Sequence, residues 1–341
     1  MRFGFNAKKA TEKLLRGDRD TAMLVTTGLI LYFGLGALLG ARFYSIANFQ
    51  SMAIQMSSLG LLSLAMSLAM LSGGIDLSIV SIAAVSSIAG AYVMSGDLVS
   101  ITASNDLPLT LAGIVTILIV ATLCGATNGL LISRFSVPPI LATLGTMIFF
   151  SGIALAATNG NSIGVATSSL SSVSTLTIAA IPISFLVIVL AFGAMWYLLS
   201  RRRVGRRIYL IGESITAARF SGIRTDSIKF RVYTISGFLS GIAAVLMLAS
   251  QNSAREGFGE SYQLQAILVA VLAGFDPDGG RGRVPNVLLA VIVLQSLQSA
   301  FSILGYSPFA KTFVWGVLLL GVMVLNFYLR RRSHRRSATF G

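Results

Sequence analysis

Apolar residues run along this chain in long blocks, separated by short polar or glycine-rich stretches. A helix crossing ~30 Å of hydrocarbon needs about 20 mostly apolar residues. Windows of that kind fall near 21–40, 50–71, 77–96, 108–132, 139–157, 179–200, 232–250, 263–275, 286–304 and 312–329. The window at 263–275 is short, and reads either as a span or as a re-entrant half-helix. None alternates with period two, which argues against an outer-membrane barrel. The first window lies behind a charged leader and lacks a convincing cleavage site, so it is not read as a signal peptide. The pattern predicts an all-α polytopic transmembrane bundle of about ten spans. Its parts are a leader at 1–20, a membrane domain at 21–329 with a large polar loop at 201–231, and a basic tail at 330–341.

Composition narrows the classes further. Only 11% of the 341 residues are charged and 55% are hydrophobic, with a mean hydropathy of +0.81. A soluble domain carries roughly 25% charged residues. A soluble enzyme, a disordered chain and a disulfide-stapled module are therefore excluded. The net charge of +14 is unexpected in so apolar a chain, and its distribution explains it. If the N-terminus is cytoplasmic and ten spans cross, every Lys and Arg except Arg42, Arg255 and Lys311 falls on the cytoplasmic side. Basic residues concentrate on that side. The asymmetry favours an even number of spans in each half and two cytoplasmic termini. No aromatic-interleaved basic platform accompanies these charges, so nucleic acid is not an expected partner.

The chemistry-bearing residues are few. One Cys (Cys124) and one His (His334) do not make a Cys/His metal site or a Ser-His-Asp triad. There is no phosphate-binding G-x-x-x-x-G-K-[ST] loop. Asp76 is the one serious intramembrane carboxylate. No cofactor and no catalytic residue is expected, and any transport would draw its energy from a partner.

Four places interrupt the apolar pattern. Ser72-Gly73-Gly74-Ile75-Asp76-Leu77-Ser78 separates two apolar stretches. Ser78 is placed to cap the following helix, with Asp76 complementing its positive end. A tight turn fits these residues, and so does a half-helix end lining a polar cavity. Asn128-Gly129 lies near the end of the fourth window, and Pro138-Pro139 opens the fifth. In the long loop, Glu213–Phe220 is expected to form a short helix stopped at Ser221-Gly222. Ala217 and Ala218 lie on one side of it and Arg219 on the other, with Ile208, Tyr209, Phe220 and Ile223 as apolar anchors. A surface linker carrying topology charges fits the same stretch, as does a helix docking a soluble motor. Finally, 274–283 is turn-forming throughout and shares a side with that loop. The nearly uncharged segment from Asn159 to Thr177 suits either contact with a soluble partner or a passive loop.

At these places the chain resembles the permease subunits of ribose-type (carbohydrate) ABC importers. The stretches that carry the resemblance are GGIDLS at 73–78, NGLLISRFSVPPILATLGTM at 128–147, GRRIYLIGESITAARFSGI at 205–223 and GGRGRV at 279–284. The resemblance implies a transport subunit without its own ATPase site, in the bacterial inner membrane. Two ATP-binding subunits, a second permease copy or a paralogous permease, and a periplasmic or lipid-anchored solute-binding protein are implied partners. A monosaccharide or similar small polar solute is the implied cargo. The residues expected to couple to the motor are Glu213, Ala217, Ala218, Arg219 and Gly222. Those expected at the translocation path and helix break are Gly73, Gly74, Asp76, Ser78 and Asn128. The sequence departs from the family at Val80, where glycine is usual, and at Gln263 and Gln265, where acids are usual. A permease of the same architecture for nucleosides, branched-chain amino acids or a furanosyl signal molecule is the nearer alternative. An autonomous carrier or channel, and a membrane-embedded enzyme, are the more distant ones.

Overall fold

The computed structural model describes residues 7–97, 99–178 and 181–338, with side chains from 21 to 324 apart from 98, 174–175 and 179–180. The basic side chains of the leader and of the 330–341 tail lie outside the described residues. The helices are α1 (Ala7–Leu39), α2 (Ile46–Leu71), α3 (Ile79–Met94), α4 (Asp106–Ser133), α5 (Pro139–Thr158), α6 (Ser168–Thr175) and α7 (Ile183–Arg201). They continue as α8 (Arg203–Glu213), α9 (Ile215–Phe220), α10 (Thr225–Gln251), α11 (Glu260–Leu272), α12 (Val284–Ile303) and α13 (Pro308–Ala338). Four two-residue strands, β1 (Ile163–Gly164), β2 (Thr177–Ile178), β3 (Ile181–Pro182) and β4 (Ser253–Ala254), pair as β1–β4 and β2–β3.

Every predicted window is occupied by a helix. Among the described residues, seven helices are long and apolar enough to cross a membrane. Two of the other three windows hold shorter helices. α3 has 16 residues and rises ~24 Å. α11 has 13 and rises ~20 Å. α13 fills the last window, with its side chains described as far as Val324.

α2, α3 and α10 are buried almost throughout, whereas α1, α4, α5 and α7 keep broad exposed apolar faces. In hydrocarbon, apolar burial does not draw helices together, so close backbone approach has to do it. The α4–α10 contact is built that way. Ala121 and Gly125 face Gly241 and Gly237 at four-residue spacing, and one turn on Gly129 packs against the Phe230 backbone. A methyl on Gly125 would lie 2.7 Å from the Gly237 Cα, and one on Gly237 would lie 2.5 Å from the Ala121 carbonyl.

Contacts between loops and helix ends gather at two ends of the bundle. At one end, Thr21 bonds Asn286 at 2.9 Å, Gly280 N–H donates to the Leu71 carbonyl at 3.0 Å, and α8 follows α7. At the other, Ala166 N–H donates to the Met94 carbonyl at 2.9 Å, Ser299 bonds Asn48 at 2.7 Å, and β1 pairs with β4. The 159–177 segment is therefore not a loose loop. Leu170 is fully buried, and Asp106 accepts from the Ser168 and Ser169 N–H groups at 2.7 and 2.9 Å, capping α6 from α4.

Candidate functional site

α2 ends because its last turn closes on itself. Ser72 and Gly73 N–H donate to Ala69 and Met70 carbonyls at 3.0 Å each, and Gly73 takes a left-handed φ of +84° that side chains resist. Gly74 is required for space instead: a methyl there would meet the Tyr233 hydroxyl at 2.5 Å and Pro139 at 2.7 Å.

The next residues are held from inside. Asp76 is fully buried. Its Oδ1 accepts from the Ser78 N–H at 3.1 Å and the Ser78 hydroxyl at 2.6 Å. Its Oδ2 accepts from the Ser236 hydroxyl of α10 at 2.7 Å. Asn128 of α4 donates to Ser78 Oγ at 2.7 Å and accepts from Thr146 of α5 at 2.6 Å. Thr143 donates to the Ile75 carbonyl at 2.9 Å. This corrects the expected cap, because the Ser78 hydroxyl does not cap α3 and is spent on Asp76 and Asn128. One connected set of bonds thus ties the break to α3, α4, α5 and α10. Buried non-helical backbone at membrane depth needs such internal satisfaction. The sequence brought Gly73, Gly74, Asp76, Ser78 and Asn128 forward, and they do lie together. Ser236, Thr143 and Thr146 were missed, since a serine or threonine inside a helix is an ordinary occurrence.

Three chain segments meet beside the break. Gly212, one residue before the end of α8, packs so closely that a methyl there would lie 2.0 Å from the Leu71 carbonyl and 2.3 Å from the Gly280 N. Gly279 and Gly280 both have positive φ, at +95° and +73°. Tyr209 of α8 donates its hydroxyl to the Gly282 carbonyl at 2.8 Å. Burial holds this phenol above its ordinary pKa despite nearby Arg283, so it remains a donor at neutral pH. The glycines of 279–282 therefore serve close backbone approach. Asp276, which precedes them, pairs with Arg281 at 3.9 Å and accepts from the Asp278 N–H at 3.1 Å.

The predicted 213–220 helix is divided. Glu213 ends α8, and Ser214 caps α9 by accepting from the Ala217 N–H. A lone polar residue with the right side chain was enough to start a second helix. The stop is as expected: Gly222 has φ +73°, and the Gly222 and Ile223 N–H groups return to Arg219 and Ala218 carbonyls. Ala217 and Ala218 do not share a side. Ala218 is buried while Glu213, Ala217, Arg219 and Gly222 are exposed. Arg219 is tied within its own loop, to Thr225 at 3.2 Å and Asp226 at 3.6 Å. Ile208 is buried and Ile223 packs on the core, but Phe220 is 90% exposed and anchors nothing in this chain. The sequence expected an anchor because the residue is apolar; the orientation of α9 turns it outward.

A further polar seam joins α2 and α12 toward the opposite end. Gln295 donates to Gln55 at 3.2 Å, beside the Asn48–Ser299 bond. Both amide atoms of Gln263 and the carbonyl of Gln298 are buried without a protein partner. In the sequence Gln263 stands out only as a departure from the family pattern.

A polytopic helical bundle with a buried broken helix, and an amphipathic helix α8 packed against that break, fits an all-α membrane permease. The chain belongs to the family described as branched-chain amino acid transport system / permease component, whose model matches residues 48–324. It is 34% identical over 303 residues to the ribose import permease protein RbsC of Bacillus subtilis, covering 88% of this chain and 90% of that protein. It is 28% identical to the Escherichia coli K12 protein of the same name, over 87% and 91%. It is 31% identical to the autoinducer 2 import system permease protein LsrD of Yersinia enterocolitica, over 87% and 88%. No solved structure matches the chain. The chain is accordingly a transport component of an ABC importer in a membrane, without an ATPase site of its own.

Proposed function

We propose that this permease moves a monosaccharide or a similar small hydroxylated solute across the bacterial inner membrane, driven by ATP hydrolysis on two partner subunits. Relatives named for ribose and for autoinducer 2 support that class of solute. In this reading ten helices cross, both termini are cytoplasmic, and a second permease copy or a paralogous permease completes the conduit. A periplasmic or lipid-anchored binding protein delivers the solute. Support for the ten crossings comes from the contacts at the two bundle ends, which fit helices of alternating direction. The Gln55–Gln295 pair and, on α11, the unpartnered amide of Gln263 supply hydrogen-bonding groups that a hydroxylated solute would use on its way.

α9 is the motor contact, and the observation that carries this is Phe220. An almost fully exposed phenylalanine at the tip of a short capped helix has no stabilising role in its own chain, and buried aromatic anchors dominate interfaces. Motion of α9 passes into α8, and from α8 through the Leu71–Gly212–Gly280 junction to the break at 72–78. Binding of ATP to the partners favours one of two conduit states, and only that differential affinity shifts the balance.

The test is reconstitution with ATP-binding subunits and a binding protein, followed by uptake of labelled ribose. Phe220→Ala should leave the purified permease equally stable and weaken its capture of the ATP-binding subunits by about tenfold or more. Unchanged capture would remove α9 from the motor interface.

A further inference from the structure

Where α7 gives way to α8, Leu198, Arg201, Arg202, Arg203, Val204 and Arg206 line a cavity of about 490 Å³. Four like charges around one space repel one another and call for an anion. Among the described residues, no carboxylate forms an ion pair with any of the four. Arg202 is braced by stacking 5.1 Å over the Tyr197 ring. α8 is amphipathic: Gly205, Ile208 and Ile211 are buried, while Arg203, Arg206 and Arg207 face outward. Such a helix lies in the interfacial plane.

What leads into the cavity indicates the kind of anion. On α7, Leu190, Gly193, Tyr197 and Arg201 are exposed at three- to four-residue spacing, forming one continuous strip. Leu190 is among the most exposed large side chains of the chain, and Trp196 stands exposed beside Tyr197. An apolar strip ending in aromatic residues and then arginines follows the profile of a bilayer leaflet, from acyl chains to headgroups.

We propose that this cavity binds the phosphodiester headgroup of an anionic phospholipid, whose acyl chains lie along the Leu190–Tyr197 strip. Guanidinium groups hold phosphate oxygens in paired hydrogen bonds. Free phosphate would meet the same arginines without the strip, so a site built for lipid discriminates in favour of the acylated ligand. The inference needs only that the permease is embedded in a membrane, and is independent of the solute it carries.

The experiment uses the full-length permease in nanodiscs of phosphatidylcholine mixed with phosphatidylglycerol, extracted into mild detergent. Native mass spectrometry then counts the retained lipids. The wild type should retain phosphatidylglycerol over phosphatidylcholine, and the triple change Arg201→Gln, Arg203→Gln, Arg206→Gln should lose that preference by about tenfold. The matching Lys variants, which keep the charge, should retain most of it and show that the fold is intact. A control triple change at Arg330, Arg331 and Arg332 should leave retention as it was. Three results would overturn the proposal: equal retention by wild type and the Gln variant, displacement of the lipid by excess inorganic phosphate, or loss of ATP-binding-subunit capture with lipid retention unchanged. The last would assign the arginines to the motor.

Discussion

Asp76 holds the break in α2–α3 by accepting three hydrogen bonds, so its value lies in its acceptors. Asp76→Asn keeps an acceptor toward Ser78 and lets the Ser236 hydroxyl accept instead, and should cost about 1 kcal/mol. Asp76→Leu strands both partners inside the bundle, and should cost about 3 kcal/mol. Thermal unfolding in detergent measures both. Equal losses would mean that the charge itself, not the bonding pattern, fixes the break. The glycines and Asp76 were readable from sequence because a broken apolar run with an acid in it is a local signal. Their partners were not. Asn128 apart, they are distant and ordinary in type: Ser236 lies 160 residues away, and Thr146 joins the set only through Asn128, which in turn bonds Ser78. Tyr209 is a similar case: its hydroxyl reaches across 73 residues to a backbone carbonyl, a bond that no pattern in the chain announces. Tyr209→Phe should leave assembly intact and cost about 1 kcal/mol.

Between helices, small residues decide the packing. Gly237→Ala forces a methyl to within 2.7 Å of the Gly125 Cα, where backbone rather than a flexible side chain must yield. We expect a cost of about 2 kcal/mol or more. Gly193→Ala, on the exposed face of α7 with nothing within 4 Å, should be neutral or stabilise by up to about 1 kcal/mol through helix propensity. Paired melting curves compare them, and similar shifts would show that the α4–α10 seam is not set by close approach. The existence of every long helix was legible from hydropathy, since length and apolarity are what a bilayer demands. The α8–α9 division was less so. It turns on one capping serine, Ser214, inside a stretch whose residues also favour a single helix. The α6 segment was unreadable for another reason, because its N-terminus is capped by Asp106, a residue of a different helix.

For the whole molecule, the proposed ten-span topology with cytoplasmic termini makes a direct labelling prediction. In a Cys124→Ala background, an impermeant thiol reagent should label Thr216→Cys from the cytoplasmic face only and Ser104→Cys from the opposite face only. Labelling of both from the same side would break the alternation. The same two-ended arrangement gives transport its mechanical content, since α8, which leads into α9, meets the break at a junction of glycines. Gly212 is the centre of it, and a single methyl there has no room without moving Leu71 or Gly280. The most direct measurement is therefore the ratio of solute imported to ATP hydrolysed by the reconstituted importer carrying Gly212→Ala. The ATP-binding subunits should still assemble and hydrolyse ATP, while uptake per ATP falls by about tenfold, equivalent to ~1.4 kcal/mol of lost coupling. A correctly folded Gly212→Ala permease with an unchanged ratio would contradict the claim that motor motion reaches the broken helix through this junction.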